Sequence, residues 1–453
     1  MGGIMQSTVG NFRSSASIPV LVYNLDAATY TGISANFNGS SQYLDIASTT
    51  AFGFGTADFT IECWWRPTVN QRSDVLDFWS TPGTNPTTRF DFGRVTSTTL
   101  DLYTDSTVGG SGAKITGPSI ASLLNAWHHI AITRQSGSIK MWVDGTQAGS
   151  TYSANVLDMG TGGMDLRIMG DHGASGNGSG NLSNVRVVRD VAVYTGTFTV
   201  PTSPLSLTQS AGTNISAITA GQTQLLLPLT TLPFTDSSTN ALSVTNSGTT
   251  VPTLLTPFTS YDTTGTYALT VTNAGASISY GTTNGGIFSK TTASGTDFIY
   301  GGPNYVTGQS YSVFMAYQRT AVSTGRLVNT QSEASKDWLM GLYNGNPDTF
   351  YPNYAVNLPG SGADLVWHFG WATWNTTTSL GQLYTATSTQ PTGTSFAVTN
   401  AGGGGFNQLR MFSRSAGTEV QTANIGFIKV YNGVLDLATV QSLYATYKTR
   451  FGY

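Results

Sequence analysis

Among its 453 residues the chain has one cysteine, three glutamates and four histidines, and only 9% of it is Asp, Glu, Lys or Arg. Each scarcity excludes something. A lone Cys63 rules out an intramolecular disulfide and any cysteine-rich metal site. Average globular proteins are about 25% charged, so this surface must be built from Ser, Thr, Asn, Gln and Gly, which suit sheets more than helices. The formal charge is −3 and no cluster of Lys or Arg occurs, which argues against a nucleic-acid partner. No apolar run reaches the roughly 18 residues of a membrane span, so no membrane partner is expected. The opening "MGGIMQSTVGNFRSS" has neither a basic head nor an apolar core, so it reads as no signal peptide. Assembly inside a cell and release by another route is the expectation.

The glutamates, Glu62, Glu333 and Glu419, lie in separate segments and form no paired motif of the kind that glycan cleavage needs. Asp74 and Asp77 are close in sequence but suit a polar strand end equally well. No Gly-x-Ser-x-Gly elbow is present. The expectation is a protein that is not an enzyme.

What is present reads as strands. "FTIECWWRP" alternates, with Phe59, Ile61, Cys63 and Trp65 on one face and Thr60, Glu62, Trp64 and Arg66 on the other. Cys63 then points inward as a small hydrophobe. "ITRQSGSIKMWVDG" predicts a hairpin about Gln135-Ser136-Gly137 and a second turn at Asp144-Gly145, with Ile139, Met141 and Val143 opposite Lys140 and Trp142. One helix is expected, in "LDLATVQSLYATYKTRFGY". Asp436 caps it, Leu437, Val440, Leu443, Tyr444 and Tyr447 share a face, and Gly452 stops it.

An internal repeat organises the chain. "FTIECWW" pairs with "YSVFMAY" (311–317), "AWHHIAITRQSGSIKMWV" with "VWHFGWATWNTTTSLGQLY" (366–384), and "LSNVRVVRDVAVY" with "NIGFIKVYNGVLD" (424–436), in the same order. Trp127-His128 then matches Trp367-His368, whereas His129 matches Phe369. Phenylalanine has no lone pair, so the histidine pair is read as structural. A smaller echo, 234–251 against 261–278, suggests hairpin strands joining the copies.

The pieces "ANFNGSSQYLDI", "FGTADFTIECWW", "AWHHIAITRQSGSIKMWVDGT" and "LSNVRVVRDVAVYTGTFTVPTSPL" together resemble the laminin-G-like modules of the concanavalin A-like jelly-roll superfamily. Their Tyr-Thr-Gly and proline-rich exit resembles the version common in bacteriophage structural proteins. The resemblance implies an all-β fold of two tandem antiparallel jelly-roll sandwiches with a short C-terminal helix. The divisions expected are an anchoring arm at 1–20, a first jelly roll at 21–205, a connecting segment with short strands at 206–258, and a degenerate second jelly roll at 259–453.

For ligands, the glycine-rich "GDHGASGNGSGN" (170–181) gathers Asp171, His172, Asn177 and Asn181, and Trp64, Trp142 and Tyr103 face away from the core, where they can stack on sugar rings or equally be buried by a neighbouring domain or subunit. The candidate ligand-binding set is Asp171, His172, Asn177, Asn181 and Trp142. The loop departs from the calcium-hand spacing, so no metal and no cofactor is assigned, although some relatives bind calcium. The function expected is a non-enzymatic virion component (a fibre, tail appendage or capsid decoration) on the surface of a phage particle. Its partners would be other virion subunits met through the N-terminal arm, further copies of itself as a trimer, and a host-surface glycan. The alternative is a secreted or cell-surface lectin with no virion role.

Overall fold

The computed structural model describes residues 19–27, 32–71, 74–80, 87–95, 98–106, 111–153, 160–172, 176–254, 256–258, 260–261, 264, 266–272, 278–281, 284, 286–292, 297–305, 309–321, 325–330, 338–343, 346–352, 356–357, 365–391, 396–399, 405–414 and 418–453. Residues 1–18 of the expected anchoring arm thus lie outside the described residues.

The described chain is antiparallel β-structure with a single α-helix, Leu437–Tyr447. Four sheets make two sandwiches. The front sheet of the first runs, in spatial order, Thr146–Ser153, Ser138–Val143, His128–Gln135, Phe59–Pro67, Ser179–Arg189, Ser34–Asn38 and Val251–Thr253, with Thr223–Leu227 also paired to Ser179–Arg189. Its back sheet runs Thr245–Ser247, Tyr43–Thr49, Met164–Ile168, Leu76–Trp79, Thr87–Val95, Thr99–Ser106 and Gly112–Ser119. Phe59, Ile61, Cys63 and Trp65 of the front sheet meet Leu44, Leu76, Phe78, Phe90 and Leu102 of the back sheet in one buried core. The alternation of "FTIECWW" therefore places its apolar half where expected, with Cys63 fully buried. Both turns of the hairpin segment also form. Ser136 and Gly137 have φ of 48° and 81°, and Asp144 and Gly145 have 48° and 78°. Two successive positive φ values match the twist of the flanking strands.

The second sandwich repeats the plan. Its front sheet runs Ile278–Gly281, Ile287–Lys290, Ala423–Asn432, Tyr311–Arg319, Trp367–Asn375, Leu380–Ala386 and Phe396–Thr399. Its back sheet runs Ser260–Tyr261, Ala268–Thr272, Phe298–Tyr305, Phe406–Met411, Val328–Thr330, Trp338–Tyr343, Asn346–Pro352 and Val356–Asn357. The repeat read from the sequence holds strand by strand. Trp64 faces His129 and Trp65 faces His128 in one copy, while Ala316 faces Phe369 and Tyr317 faces His368 in the other.

The boundaries shift from those expected. Val20–Asp26 pairs with Ala423–Asn432 and so belongs to the second sandwich, not the first. Ile287–Lys290 covers only Ala423, Asn424 and Ile425 of that long strand, and Val20–Asp26 satisfies the open backbone groups of 427–432. In the first sandwich the same vacancy beside Val185–Val188 is filled by Thr223–Leu227. The segment 206–258, expected as a connector, in fact supplies Thr223–Leu227, Thr245–Ser247 and Val251–Thr253 to the first sandwich.

The outer face of each front sheet is covered. Residues 191–218 lie over the first, with Val193, Tyr194, Phe198 and Ile218 packed on Ala131, Trp142 and Val188. A Cβ on Gly145 would sit 2.1 Å from the Phe198 carbonyl oxygen, so this cover admits only glycine there. The helix and the turn Lys448–Phe451 lie over the second. Asp436 Oδ1 accepts from the Thr439 N–H at 2.8 Å, and Gly452 ends the turn at φ 87°, as the sequence predicts.

Candidate functional site

The back sheet of the first sandwich has no such cover from 191–218, and its outward residues are unusually polar. Strand alternation places them. Leu44 and Ile46 point into the core, so Tyr43 and Asp45 face out; Leu166 and Ile168 send Arg167 out; Leu76 and Phe78 send Asp77 and Trp79 out; Phe90 and Phe92 send Arg89 and Asp91 out. The register then aligns one row across six strands: Thr245, Asp45, Arg167, Asp77, Asp91 and Tyr103 each sit opposite the next. Neighbours in such a row are about 5 Å apart, close enough for every pair to interact.

Two groups form along the row. In the first, Arg89 reaches into a cage of aspartates. Its Nη2 lies 2.6 Å from Asp171 Oδ1, 3.1 Å from Asp74 Oδ2 and 3.3 Å from Asp77 Oδ2, and its Nε lies 2.8 Å from Asp91 Oδ1. All four aspartates are buried. Burial pushes Asp91 well above the usual carboxylate range, helped by its hydrogen bond to Asp77 and the charges of Asp77 and Asp74. Burial opposes ionisation of Asp77 too, but hydrogen bonds from Asp91 and His172 and the charge of Arg89 hold it below that range. The pair thus keeps one proton between two carboxylates.

The second group borders a cavity of about 240 Å³ lined by Asp45, Ile46, Ala47, Asp165, Arg167, His172 and Thr245. Arg167 forms a two-pronged pair with Asp45, Nε to Oδ1 at 2.8 Å and Nη2 to Oδ2 at 3.2 Å. Its Nη1 donates to the Asp171 carbonyl at 3.1 Å, and its guanidinium lies 4.1 Å from the centre of the Tyr43 ring. His172 is held by Asp77, whose Oδ2 accepts from the His172 N–H at 3.0 Å and lies 2.9 Å from Nδ1. Facing an ionised carboxylate, Nδ1 is the donor, which makes Nε2 of a neutral ring an acceptor. Trp79 packs at 5.8 Å beside the imidazole.

Of the residues expected to bind ligand, the structure brings Asp171 and His172 to this place. Asp171 is an internal partner of Arg89, whereas His172 lines the cavity. Asn177 ties loops together, its Nδ2 donating to the Ser40 carbonyl at 2.6 Å. Asn181 is buried on the front sheet, donating to Thr253 Oγ1 at 2.9 Å. Trp142 is a correction: it is 1% exposed, donates from Nε1 to Thr133 Oγ1 at 2.8 Å, and is covered by Phe198. Trp64 is likewise buried, between His129 and Phe258. Tyr103 does face outward and stays half-buried, its hydroxyl 2.7 Å from Ser111 Oγ. Residues 173–175 of the glycine-rich loop lie outside the described residues.

Sequence reading missed Tyr43, Asp45, Asp91, Arg89 and Arg167. A signal for the last was present. "LRIMG" (166–170) recurs as "LRMFS" (409–413), and the two arginines are equivalent in the fold. Arg410 lies opposite Tyr300 and Asn329 as Arg167 lies opposite Asp45 and Asp77, and it sits 3.5 Å from the Phe298 ring centre. The residues two places on, Met169 and Phe412, both take positive φ, at 60° and 73°, and donate to the Val75 and Leu327 carbonyls.

Some relatives of the expected family hold calcium, and the oxygens of Asp74, Asp77 and Asp171 do lie within 4.8 Å of one another. A calcium ion needs six to eight oxygens at about 2.3–2.6 Å. Here the point where those three carboxylates converge is taken by the Arg89 guanidinium. The residues as arranged do not fit a resident metal.

Comparison with known proteins agrees with the architecture of the first sandwich. Residues 38–193 match the family model described as the concanavalin A-like lectin/glucanases superfamily, of laminin-G type. Among solved structures, the chain is similar to domains LG4-5 of the mouse laminin alpha1 chain, at 11% identity and a TM-score of 0.28 over 93% of this chain and 99% of that one. It is also similar to a putative carbohydrate binding protein from Bacteroides ovatus, at 17% identity and a TM-score of 0.31 over 52% of this chain; the match spans 61% of that protein, under two thirds of its length. A third is domain 4 of an extracellular arabinanase from Geobacillus stearothermophilus, solved with arabinotriose, at 16% identity and a TM-score of 0.29 over 40% of this chain and 91% of that one. No curated protein matches the sequence.

Proposed function

We propose that the protein is a non-enzymatic structural component of a phage particle, a fibre, tail appendage or capsid decoration, that holds a host-surface glycan in the cavity beside Arg167 and His172. The observation that carries the glycan reading is the pre-organised polar lining of that cavity. Arg167 is fixed by Asp45, Tyr43 and the Asp171 carbonyl, yet three of its five N–H groups account for its bonds to them. The remaining donors, the spare lone pairs of Asp45 and Asp165, and His172 Nε2 make a set of fixed donors and acceptors that suits neighbouring sugar hydroxyls. Holding them rigid in advance lowers the entropy cost of binding a flexible polar ligand.

A binding role fits the carboxylates better than a hydrolytic one. Asp77 and Asp91 share a hydrogen bond and are tied to Arg89, whereas glycosidases keep two acids about 5 Å or more apart with room for sugar or water between them. Glu62 is likewise held by Arg186, and Glu419 by Arg326 and Arg414. The phage setting rests on the resemblance of the four pieces between 35 and 205, ending in the Tyr-Thr-Gly and proline-rich exit.

Glycan microarrays followed by calorimetry test the site. The variant Arg167→Ala should lose about 10- to 100-fold in affinity, the usual cost of a charge-assisted hydrogen bond. A glycan bound equally well by wild type and variant would remove the cavity from the reading. Quantitative mass spectrometry of purified particles tests the setting. A fixed copy number supports a virion component, multiples of three a trimeric appendage, and absence from particles with glycan binding retained would turn the reading to a secreted lectin.

A further inference from the structure

The Arg89 cage gathers four aspartates about one guanidinium. All four are buried, and Nη2 alone contacts three of them at 2.6, 3.1 and 3.3 Å. The cage also joins segments far apart in sequence: Asp74 precedes one strand, Asp77 and Arg89 lie on neighbouring strands, and Asp171 follows a third. A buried cation at such a junction does the structural work that a bound divalent ion does elsewhere, bringing several carboxylates together that would otherwise repel.

We infer that Arg89 is the resident cation of this cage: the three converging aspartates are a latent divalent-cation site that the guanidinium keeps closed, so that the first sandwich is ordered without metal. Arginine suits the task because its planar fork serves several carboxylates at once and it stays protonated at any ordinary pH. Asp171 connects the cage to the cavity, since its side chain meets Arg89 while its carbonyl accepts from Arg167. Asp77 connects them again through His172. On the glycan reading, which this consequence rests on, ligand capture should survive EDTA; the cation inference itself does not depend on any ligand.

Terbium luminescence on the full chain tests it, because Trp79 lies against the cage, its ring centre 5.5 Å from the Arg89 guanidinium carbon. Wild type should show no Trp79-sensitised emission, and neither calcium nor EDTA should shift its Tm. Arg89→Ala and Arg89→Gln should gain saturable emission that is lost on adding Trp79→Phe or Asp171→Asn, whereas Arg89→Lys should stay dark. If neither neutral variant folds alone, refolding on addition of calcium supports the inference and failure to refold with it overturns it. Sensitised emission from wild type that Asp171→Asn abolishes would also overturn it, as would a folded Arg89→Gln chain without emission. Loss of glycan binding in EDTA with no emission from wild type would instead count against the glycan site and leave the cage assignment standing.

Discussion

The two front sheets share one backbone plan and differ in chemistry at the centre of their outer faces. In the first sandwich Glu62 lies between Ala131 and Arg186; at the same place in the second, Phe314 lies between Trp371 and Lys429. The side-chain oxygens of Glu62 meet polar partners. Arg186 lies at 2.6 Å, the Tyr194 hydroxyl donates at 2.6 Å, and His129 Nε2 lies at 3.0 Å. Around Phe314 nearly every contact is a ring, with Trp371 stacked at 4.8 Å, Phe427 at 4.9 Å and Phe369 beside them. The covers explain the difference. An irregular segment such as 191–218 has backbone carbonyls and side-chain amides to spare, and Arg186 takes the Ser206 carbonyl and Gln209 Oε1, both at 2.9 Å. A helix bonds its own backbone groups, so Leu437–Tyr447 has mainly side chains to offer, and Tyr444, Tyr447 and, just beyond it, Phe451 meet an aromatic face. Even the cation at its centre, Lys429, lies over the Phe427 and Tyr447 rings and donates to Asn24 of the first strand. What a sheet face can carry is thus set by what its cover can satisfy.

Glu62 and Phe314 are where the two faces differ most. Glu62→Gln leaves Arg186 buried without its counter-charge and should destabilise the first sandwich by about 3–5 kcal/mol. Phe314→Ala should cost the second a similar amount through a cavity instead. Hydrogen exchange resolves the two: the first change should speed exchange in His128–Gln135 and spare Trp367–Asn375, and the second should do the reverse. Equal loosening of both strands by either change would mean that the sandwiches are energetically one unit.

Acid should separate them next. Burial opposes ionisation of Glu62, but the charge of Arg186 and the bonds from His129 and Tyr194 lower its pKa from 4.5 to about 2. Its contribution, roughly 3 kcal/mol, is therefore complete above pH 4.5 and is lost as the pH falls from there through about 2. The aromatic face about Phe314 has no titrating counterpart of Glu62, and Glu419 of the second sandwich, lowered by Arg326 and Arg414 against the effect of its burial, is partly exposed and contributes less. Exchange measured from pH 5 to pH 2.5 should show the first front sheet opening before the second; the opposite order would refute the assignment of Glu62 as the acid-sensitive element. The smallest effect belongs to the cover itself. Asp436→Ala removes a cap from an exposed helix end and should cost about 1 kcal/mol, read as faster exchange in Leu437–Tyr447 with the first sandwich untouched.

Much of this was legible locally. Period two in "FTIECWW" put Cys63 and Trp65 inside, the residue types at 135–137 and 144–145 gave both turns, and Asp436 marked the start of the helix and Gly452 the end of the turn that follows it. The recurrence of Trp-His exposed the repeat, and Phe369 at the place of His129 pointed to a structural role for the pair, whose partners in the fold are Asp144 and Glu62. Trp142 shows the limit of such reasoning. Alternation told correctly that it faces away from the first core, but not that Phe198 and Tyr194, some 50 residues on, would cover it. The functional row was less legible still, because Asp45, Asp77, Asp91, Tyr103 and Arg167 occupy five strands and no spacing along the chain relates them.

Local sequence specifies the strands of 59–66 and 138–143 with their apolar sides, the two turns that flank the second, the helix after Asp436, and one plan used twice. These follow from interactions between residues a few positions apart, governed by backbone geometry and alternation. Assembly of the fold is what makes Val20–Asp26 complete the sandwich at the other end of the chain, covers Trp142, and brings Arg89 and Arg167 to the aspartates. Those outcomes depend on strand register and on the chemistry of whatever lies across each sheet, which are properties of the assembled fold.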